Sequence, residues 1–127
     1  MIFGIGNDLV QIDRLQKSLT SPAFWQRVYG EEERAFLQKL HSSRQLASAA
    51  ANFAAKEAFL KAVGTGIGGF ALCEIQTLRQ QSGAPAMAFC GEAQAFMQQK
   101  GLIAHVSLTH EAGLAGAFVV LEQRLDV

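Results

Sequence analysis

The hydrophobic pattern of the chain changes from one long helical stretch in the middle to short alternating runs after it. Residues 45–69, QLASAAANFAAKEAFLKAVGTGIGG, are rich in alanine, which favours helix as leucine and phenylalanine also do here, and Gly64 supplies a natural C-terminal stop. At about 3.6 residues per turn, apolar side chains fall on two opposite faces of this helix. One face carries Leu46, Ala49, Phe53 and Leu60, and the other Ala47, Ala51, Ala58 and Ala62. A helix apolar on both faces is typical of a buried position, so we predict a central buried helix.

The first residues predict a strand. Residues 1–12, MIFGIGNDLVQI, place apolar side chains on both alternating faces, as in a strand that is covered on both sides. Asp8 is an ionisable group that shares one side of this strand with Ile2, Val10 and Ile12. Gly4 and Gly6 on the same side allow another element to approach closely.

Shorter elements flank the central helix. We predict a helix over residues 14–19 capped by Asp13, helical stretches beginning at Pro22 and Glu31, and a polar connector at residues 41–44. After the helix we predict strands at residues 70–78 and 86–90, a helix at 91–100 ended by Gly101, and a hairpin of strands 102–109 and 114–122 joined through residues 110–113. The fold class is therefore α+β, with an antiparallel sheet packed on a long central helix, in one domain spanning residues 1–127.

Composition limits the function classes. The 127 residues are half hydrophobic and carry 11 basic and 11 acidic side chains, enough for one domain with a core but without the basic excess of a nucleic-acid binder. We see neither an apolar run of the roughly 18 residues of a membrane span nor an export signal. Cys73 and Cys90 have no metal-ligand spacing, so we expect buried reduced thiols and a cytoplasmic protein.

Two carboxylates are the main candidates for chemistry. Glu57 points along the apolar stripe of the helix, where a charge is costly unless it is paired or bound to a metal. The alternative is an i, i+4 salt bridge to Lys61, and Asp8 has its own alternative as an acceptor of backbone hydrogen bonds. If the helix packs on the sheet, Asp8 and Glu57 meet, and two carboxylates with waters suit Mg²⁺.

Positive charge and glycines accompany these acids. Lys56 and Lys61 are expected to flank the site, as a phosphate-rich ligand would require. The glycines from Gly64 onward would let backbone amides approach phosphate oxygens, although such loops also simply end helices. The loop lacks the spacing of a P-loop, which argues against an ordinary NTPase.

Four segments in this order resemble the bacterial holo-acyl-carrier-protein synthases, the small 4'-phosphopantetheinyl transferases. They are GIGNDLVQIDR, FAAKEAFLKAVGTGIG, GAP and VSLTHEAGLAGAFVVLE, and the resemblance covers nearly the whole chain. It implies the 4'-phosphopantetheinyl transferase fold and a cytoplasmic enzyme of fatty acid and lipid biosynthesis. Such enzymes move the phosphopantetheine arm of coenzyme A onto a serine of an apo-acyl-carrier protein and release adenosine 3',5'-bisphosphate.

The resemblance also implies roles for individual residues. Asp8 and Glu57 would bind Mg²⁺, and Glu57 would deprotonate the serine, directly or through a water on the metal. Lys61 would contact phosphate oxygens as the second catalytic residue. The implied coenzyme A contacts are Lys61, Gly64, Thr65, Gly66, Thr109 and His110, the last acting across a subunit boundary. For His110 the alternative is an ordinary residue of the hairpin turn.

Partners follow from the same resemblance. Arg14 and Lys17, three residues apart and therefore on one face of a helix, would meet acidic residues of the carrier protein. Relatives of this length form homotrimers with active sites shared between subunits. Asn52 departs from the family pattern, because many relatives are basic there, and Arg44 is a candidate to replace that contact. A second departure is FALCEI, where the family usually has an aromatic-x-Asp-Ile sequence after the glycine loop.

Two other functions use some of the same residues. A Mg²⁺-dependent nucleotide pyrophosphohydrolase would need the carboxylates and lysines but no carrier-docking helix. A non-catalytic coenzyme A-binding trimer would have no reason to turn Asp8 and Glu57 inward together.

Overall fold

The computed structural model describes residues 1–64 and 69–124, and its centre is the 22-residue helix α4, Ser42–Val63. Gly64 ends this helix in the left-handed conformation, with φ of 93°, so the predicted stop is confirmed. The predicted connector at residues 41–44 is wrong, because only His41 precedes the helix and Ser42 already belongs to its first turn. From Ala49 to Ala62 most side chains of α4 are buried, as the two apolar faces predicted.

A three-stranded antiparallel sheet covers one face of α4. It consists of β1 (Ile2–Gln11), β4 (Leu102–Glu111) and β5 (Leu114–Gln123) in the order β1-β5-β4. The register pairs Asp8 with Ala117 and Asn7 with Phe118. The side chains between sheet and helix form the core, which includes Ala54, Ala58, Phe59, Ala117, Val119 and Leu121. The predicted α+β class, with an antiparallel sheet on a long helix, is confirmed.

The strand β1 and the helix α4 touch through backbone. A Cβ atom added to Gly4 would lie 2.0 Å from the carbonyl oxygen of Ala62, and one added to Gly6 would lie 2.0 Å from that of Ala58. No side chain other than hydrogen fits in either place. The close approach predicted from these two glycines is therefore confirmed.

The opposite face of this sheet is exposed. Ile5, Leu9 and Phe118 are 58, 65 and 46 % exposed, so the prediction that β1 is covered on both sides is wrong within one chain. The cause is that α4 covers only the glycine side of the strand, and the alternate residues point away from it. None of the helices described in residues 1–64 and 69–124 combines the length and hydropathy needed to cross a membrane.

Three short helices build a second part of the core. They are α1 (Arg14–Ser18), α2 (Pro22–Val28) and α3 (Glu31–Leu37), and they bury Leu15, Trp25, Val28, Tyr29 and Leu37 against the first half of α4. Asp13 occupies the N-cap position of α1, but its side chain makes no capping hydrogen bond. Its backbone is already helical, with φ of −65° and ψ of −20°, whereas a capping residue is extended. The predicted cap is therefore wrong.

The second sheet is a two-stranded ribbon of β2 (Ile75–Arg79) and β3 (Pro85–Phe89). The strand predicted at residues 70–78 is wrong in its first half, where Leu72–Glu74 form a turn of 3₁₀ helix. This turn allows the carbonyl groups of Leu72 and Ile75 to accept hydrogen bonds from the buried ammonium of Lys56. A tertiary contact thus determines the local conformation there.

The last helix and hairpin agree with the sequence except at their connections. Helix α5, Gly91–Lys100, is ended by Gly101 with φ of 64°, as predicted. The hairpin turn is only Ala112 and Gly113, both with positive φ, so His110 lies in strand β4 and not in the turn. Cys90 is exposed and Cys73 is half-buried, which corrects the prediction of two buried thiols.

Candidate active site

Asp8 and Lys61 meet at the free edge of the sheet. Asp8 lies on the helix side of β1, which is the edge strand. The Lys61 side chain donates from Nζ to Asp8 Oδ1 at 3.1 Å and to the carbonyl oxygen of Asn7 at 3.0 Å. Lys61 therefore bonds to β1, rather than forming the i, i+4 salt bridge to Glu57 that was one alternative for this pair. The Lys61 side chain remains 54 % exposed, so its ammonium is open to a ligand.

Glu57 lies one turn before Lys61 and is half-buried. Burial raises the pKa of its carboxyl group, the nearby charge of Asp8 raises it further, and Lys61 offsets part of that rise. The structure thus brings Asp8 and Glu57, from different elements, close enough for their charges to interact. Two negative groups held together in this way disfavour the doubly charged state unless a cation is present.

The donor set at this edge fits a hard divalent cation. Asp8 and Glu57 provide carboxylate oxygens. The ammonium of Lys61 already lies beside Asp8, so there is room for a positive charge at this carboxylate. Within residues 1–64 and 69–124, no group of three or more His, Cys, Asp and Glu side chains is arranged for one metal ion. Mg²⁺ is often held by one or two carboxylates and completes its shell with waters and substrate phosphates, so a two-carboxylate site suits it.

A cavity of about 450 Å³ adjoins Asp8 and Lys61. Asn7, Asp8 and Lys61 line one side of it, and Ser107, Thr109 and Phe118 line another. Thr109 therefore lines the same cavity as Asp8 and Lys61. Ser107 was missed in the sequence, although it shares the strand parity of Thr109 two residues later, and that spacing is the signal that could have found it.

His110 lines a different cavity. That cavity, of about 360 Å³, also includes Arg44, Ser43 and Ser48 from the first turns of α4. Consecutive residues of a strand point to opposite faces, so Thr109 and His110 cannot line the same side of the sheet. Within one chain the two predicted coenzyme A contacts are thus separated, and Arg44 lies beside His110.

Lys56 does not flank the candidate site, contrary to the sequence prediction. Its side chain is fully buried on the other side of α4, where Nζ donates to Glu33 Oε1 at 2.5 Å and to the backbone carbonyls of Leu72 and Ile75. Burial lowers the pKa of this ammonium, and the charge of Glu33 works in the opposite direction. Neighbouring positions on a helix differ by about 100°, so Lys56 points inward while Glu57 points to the sheet edge.

Asn52 belongs to the same interior network. It is fully buried, and its side-chain amide donates to Glu33 Oε2 and to the carbonyl oxygen of Thr77, each at 3.0 Å. The nitrogen Nη2 of Arg79 donates to its amide oxygen at 3.3 Å. Asn52 therefore points away from the Asp8 edge, and its partner Glu33 was not predicted from the sequence.

The other described residues that were predicted to contact the carrier protein or coenzyme A lie on α1 and at the end of α4. Arg14 and Lys17 are exposed on α1, which follows β1 directly and is anchored through the buried Leu15. Gly64 lies at the end of α4, and a Cβ atom there would meet nothing within 4 Å. The predicted contacts Thr65 and Gly66 lie outside the described residues.

Comparison with known proteins gives a consistent result. A family model described as the 4'-phosphopantetheinyl transferase superfamily matches residues 4–115. The holo-[acyl-carrier-protein] synthase of Treponema denticola is 41 % identical over 125 residues, which cover 96 % of this chain and 99 % of that protein. The sequence resemblance to this family is confirmed.

Solved structures agree in fold. The holo-(acyl-carrier-protein) synthase of Bacillus anthracis, in complex with CoA (3',5'-ADP), superposes with a TM-score of 0.83 at 36 % identity and covers 98 % of this chain and 99 % of that one. The synthase of Neisseria meningitidis gives a TM-score of 0.84 at 32 % identity, covering 97 % of this chain and 100 % of that one. The chain belongs to the 4'-phosphopantetheinyl transferase superfamily.

Proposed function

We propose that this chain transfers the 4'-phosphopantetheine group of coenzyme A to a serine of an apo-acyl-carrier protein and releases adenosine 3',5'-bisphosphate. The observation that carries the proposal is the group of Asp8, Glu57 and Lys61 at the free edge of the sheet, where Asp8 and Lys61 also line a cavity. It occurs in a chain whose full-length relatives are holo-[acyl-carrier-protein] synthases. Fold and family alone would not assign the reaction, so the chemistry of these three side chains is the essential support.

Asp8 and Glu57 would hold Mg²⁺. When bound there, the ion would neutralise charge on the pyrophosphate of coenzyme A and on the departing phosphate. Lys61 has a half-exposed ammonium beside the cavity, which suits contact with phosphate oxygens and stabilises charge that develops on them. Its bond to Asp8 also fixes the position of that carboxylate relative to the helix.

Glu57 is the proposed acceptor of the serine proton. Its carboxylate would take the proton directly or through a water on the metal, and a positioned carboxylate is a common general base. The serine oxygen, once deprotonated, attacks the phosphorus that carries the pantetheine arm, and the bond to the departing bisphosphate breaks. Asp8 on the neighbouring strand keeps its role as ligand.

A homotrimer with shared active sites is the proposed assembly. The exposed sheet face carries Ile5, Leu9 and Phe118, a concentration of apolar surface that is typical of an interface. Thr109 and His110 line cavities on opposite sides of β4. Packing the exposed sheet faces of several copies would bury these apolar side chains, and the family resemblance implies that His110 of one copy contacts coenzyme A at the Asp8 site of the next.

The carrier protein is proposed to dock on α1. Arg14 and Lys17 are exposed on a helix that follows β1, the strand that carries Asp8. Basic side chains at the rim of an interface steer an acidic partner and fix its orientation. The cytoplasmic location, where coenzyme A and carrier proteins would be available, stays a prediction from the sequence.

One assay tests the reaction. The protein is incubated with coenzyme A, Mg²⁺ and an apo-carrier protein, and the carrier is analysed by intact-mass spectrometry. A carrier that gains one phosphopantetheine group supports the proposal. Free phosphopantetheine with an unmodified carrier would instead indicate a pyrophosphohydrolase, and intact coenzyme A would indicate a non-catalytic binding protein.

A further inference from the structure

The contact between β1 and α4 is as close as two backbones allow. A Cβ atom at Gly6 would meet the carbonyl oxygen of Ala58 at 2.0 Å, the amide nitrogen of Ala62 at 2.8 Å and the Cβ of Lys61 at 3.0 Å. A Cβ atom at Gly4 would meet the carbonyl oxygen of Ala62 at 2.0 Å. Both obstacles at 2.0 Å are backbone atoms, which cannot turn aside as a flexible side chain can. Any larger residue at either position must push the helix away from the strand.

These contacts define a register that leads to Asp8. Two residues of strand span about 6.8 Å, and four residues of helix span about 6.0 Å, so the two elements advance nearly in step. Gly4 lies against Ala62 and Gly6 against Ala58, so the next strand position on this side, Asp8, comes level with the preceding turn of the helix. Glu57 belongs to that part of α4.

The two carboxylates therefore come from two elements whose separation the glycines set. Asp8 belongs to β1 and Glu57 to α4, and neither element carries both. Mg²⁺ demands oxygen ligands at about 2.0–2.1 Å in near-ideal octahedral geometry, whereas Ca²⁺ accepts about 2.3–2.6 Å in flexible shells. A small, fixed distance between strand and helix favours the smaller ion. A wider and more flexible gap between β1 and α4 removes the preference for the smaller ion.

We propose that Gly6, supported by Gly4, is a positioning residue that makes this site selective for Mg²⁺ over Ca²⁺. The inference rests on the proposed function, because it requires Asp8 and Glu57 to bind the metal. Gly6 touches neither metal nor substrate, and it acts only through the approach of α4 to β1. Lys61 is held in the same way, since its Cβ lies against Gly6 and its ammonium reaches Asp8.

The test is a metal-binding measurement that does not depend on turnover. Mn²⁺ is bound to the wild-type protein in saturating coenzyme A, free Mn²⁺ is measured by electron paramagnetic resonance, and Mg²⁺ or Ca²⁺ is added as a competitor. Coenzyme A without protein gives the background. For Gly6→Ala we expect Mg²⁺ affinity to fall about 10- to 100-fold, the usual cost of disturbing residues that orient metal ligands. Ca²⁺ affinity should fall much less, so that the ratio of the two affinities shifts toward Ca²⁺.

Two further variants separate positioning from simple destabilisation. Gly4→Ala acts nearer the end of the helix, so it should shift the ratio in the same direction by a smaller factor. Gly30→Ala is the matched control, because a Cβ there would strike Gln76 at 2.3 Å and not α4. It should lower the thermal melting temperature and leave the Mg²⁺ to Ca²⁺ ratio at the wild-type value.

Each result decides between a positioning role for Gly6 and simple destabilisation. An unchanged ratio in folded Gly6→Ala would overturn the inference, even if both affinities fell. If Gly6→Ala does not fold, Gly4→Ala takes its place. If neither variant folds, the wild-type ratio decides: a clear preference for Mg²⁺ supports the inference, and equal affinity for Ca²⁺ overturns it. A wild-type protein that binds no Mn²⁺ beyond the coenzyme A background would show that the proposed metal site itself is wrong, and the inference would fall with it.

Discussion

Lys61 on α4 donates a hydrogen bond to Asp8 on β1, with 3.1 Å between Nζ and Oδ1. The pair joins the two elements that carry the candidate metal ligands. Because Lys61 is half exposed, its ammonium is solvated, and such ion pairs contribute only about 0–1 kcal/mol to stability. Its importance should therefore lie in the reaction and not in folding.

Replacing Lys61 tests whether its role lies in the reaction and not in stability. We expect Lys61→Met to reduce kcat about 100- to 1000-fold, the usual cost of removing one group that stabilises transition-state charge. Its thermal melting temperature should stay close to that of the wild type. Lys100→Met, on the exposed end of α5, is the control and should change neither quantity. A Lys61→Met enzyme with wild-type kcat would remove this residue from its proposed role.

Glu57→Gln should abolish transfer and leave the fold intact. Burial and Asp8 raise the pKa of Glu57, which means that the folded protein favours the neutral over the charged form. A neutral amide therefore removes an unfavourable charge, and the melting temperature at neutral pH should be unchanged or higher. Intact-mass analysis of the carrier and circular dichroism measure the two effects. Full transfer by this variant would exclude Glu57 as base and ligand.

The sequence predicted the parts of the fold that local chemistry determines. Gly64 and Gly101 end helices because each adopts positive φ, and strand parity correctly placed Gly4, Gly6 and Asp8 on the helix side. The meeting of Asp8 with Glu57 followed from that parity and from the position of Glu57 in the apolar stripe. These predictions use only short-range rules, and the fold agrees with them.

The direction of Lys56 could not be predicted in the same way. When both faces of a helix are alanine-rich, periodicity does not say which face turns to the sheet and which to the other elements. The partner of Lys56 is Glu33, which is 23 residues away in the chain and whose burial no local pattern indicates. The sequence did not predict that Thr109 and His110 line separate cavities, because strand β4 continues to Glu111, beyond its predicted end.

Lys56→Met should be one of the most destabilising substitutions in the chain. It would leave the fully buried carboxylate of Glu33 without its cation, and breaking such a pair typically costs about 3–5 kcal/mol. Denaturant unfolding measures the change. The double variant Lys56→Met with Glu33→Gln should recover part of the loss, because no uncompensated charge remains. A double variant less stable than the single one would show that hydrogen bonding, and not charge balance, dominates this network.

Arg14→Ala should affect the carrier protein and not coenzyme A. The side chain is exposed on α1, outside the cavity that adjoins Asp8, so we expect the KM for the carrier to rise while the KM for coenzyme A stays unchanged. The effect should shrink at high salt, since exposed charges are screened. Lys100→Ala on α5 is again the control. A rise in the KM for coenzyme A alone would instead indicate that Arg14 contacts coenzyme A. Lys17→Ala should show the same pattern as Arg14→Ala.

Ile5→Glu tests the assembly. Ile5 is 58 % exposed at the apolar sheet face and does not line the Asp8 cavity, so a charge there would disturb packing between copies while leaving the site of each copy intact. We expect sedimentation velocity to show trimers for the wild type and monomers for Ile5→Glu, with transfer activity lost in parallel if the active sites are shared as proposed. Ile5→Val keeps the surface apolar and should retain both trimer and activity. A fully active monomeric Ile5→Glu protein would contradict the shared site, since one chain would then supply every residue that the reaction needs.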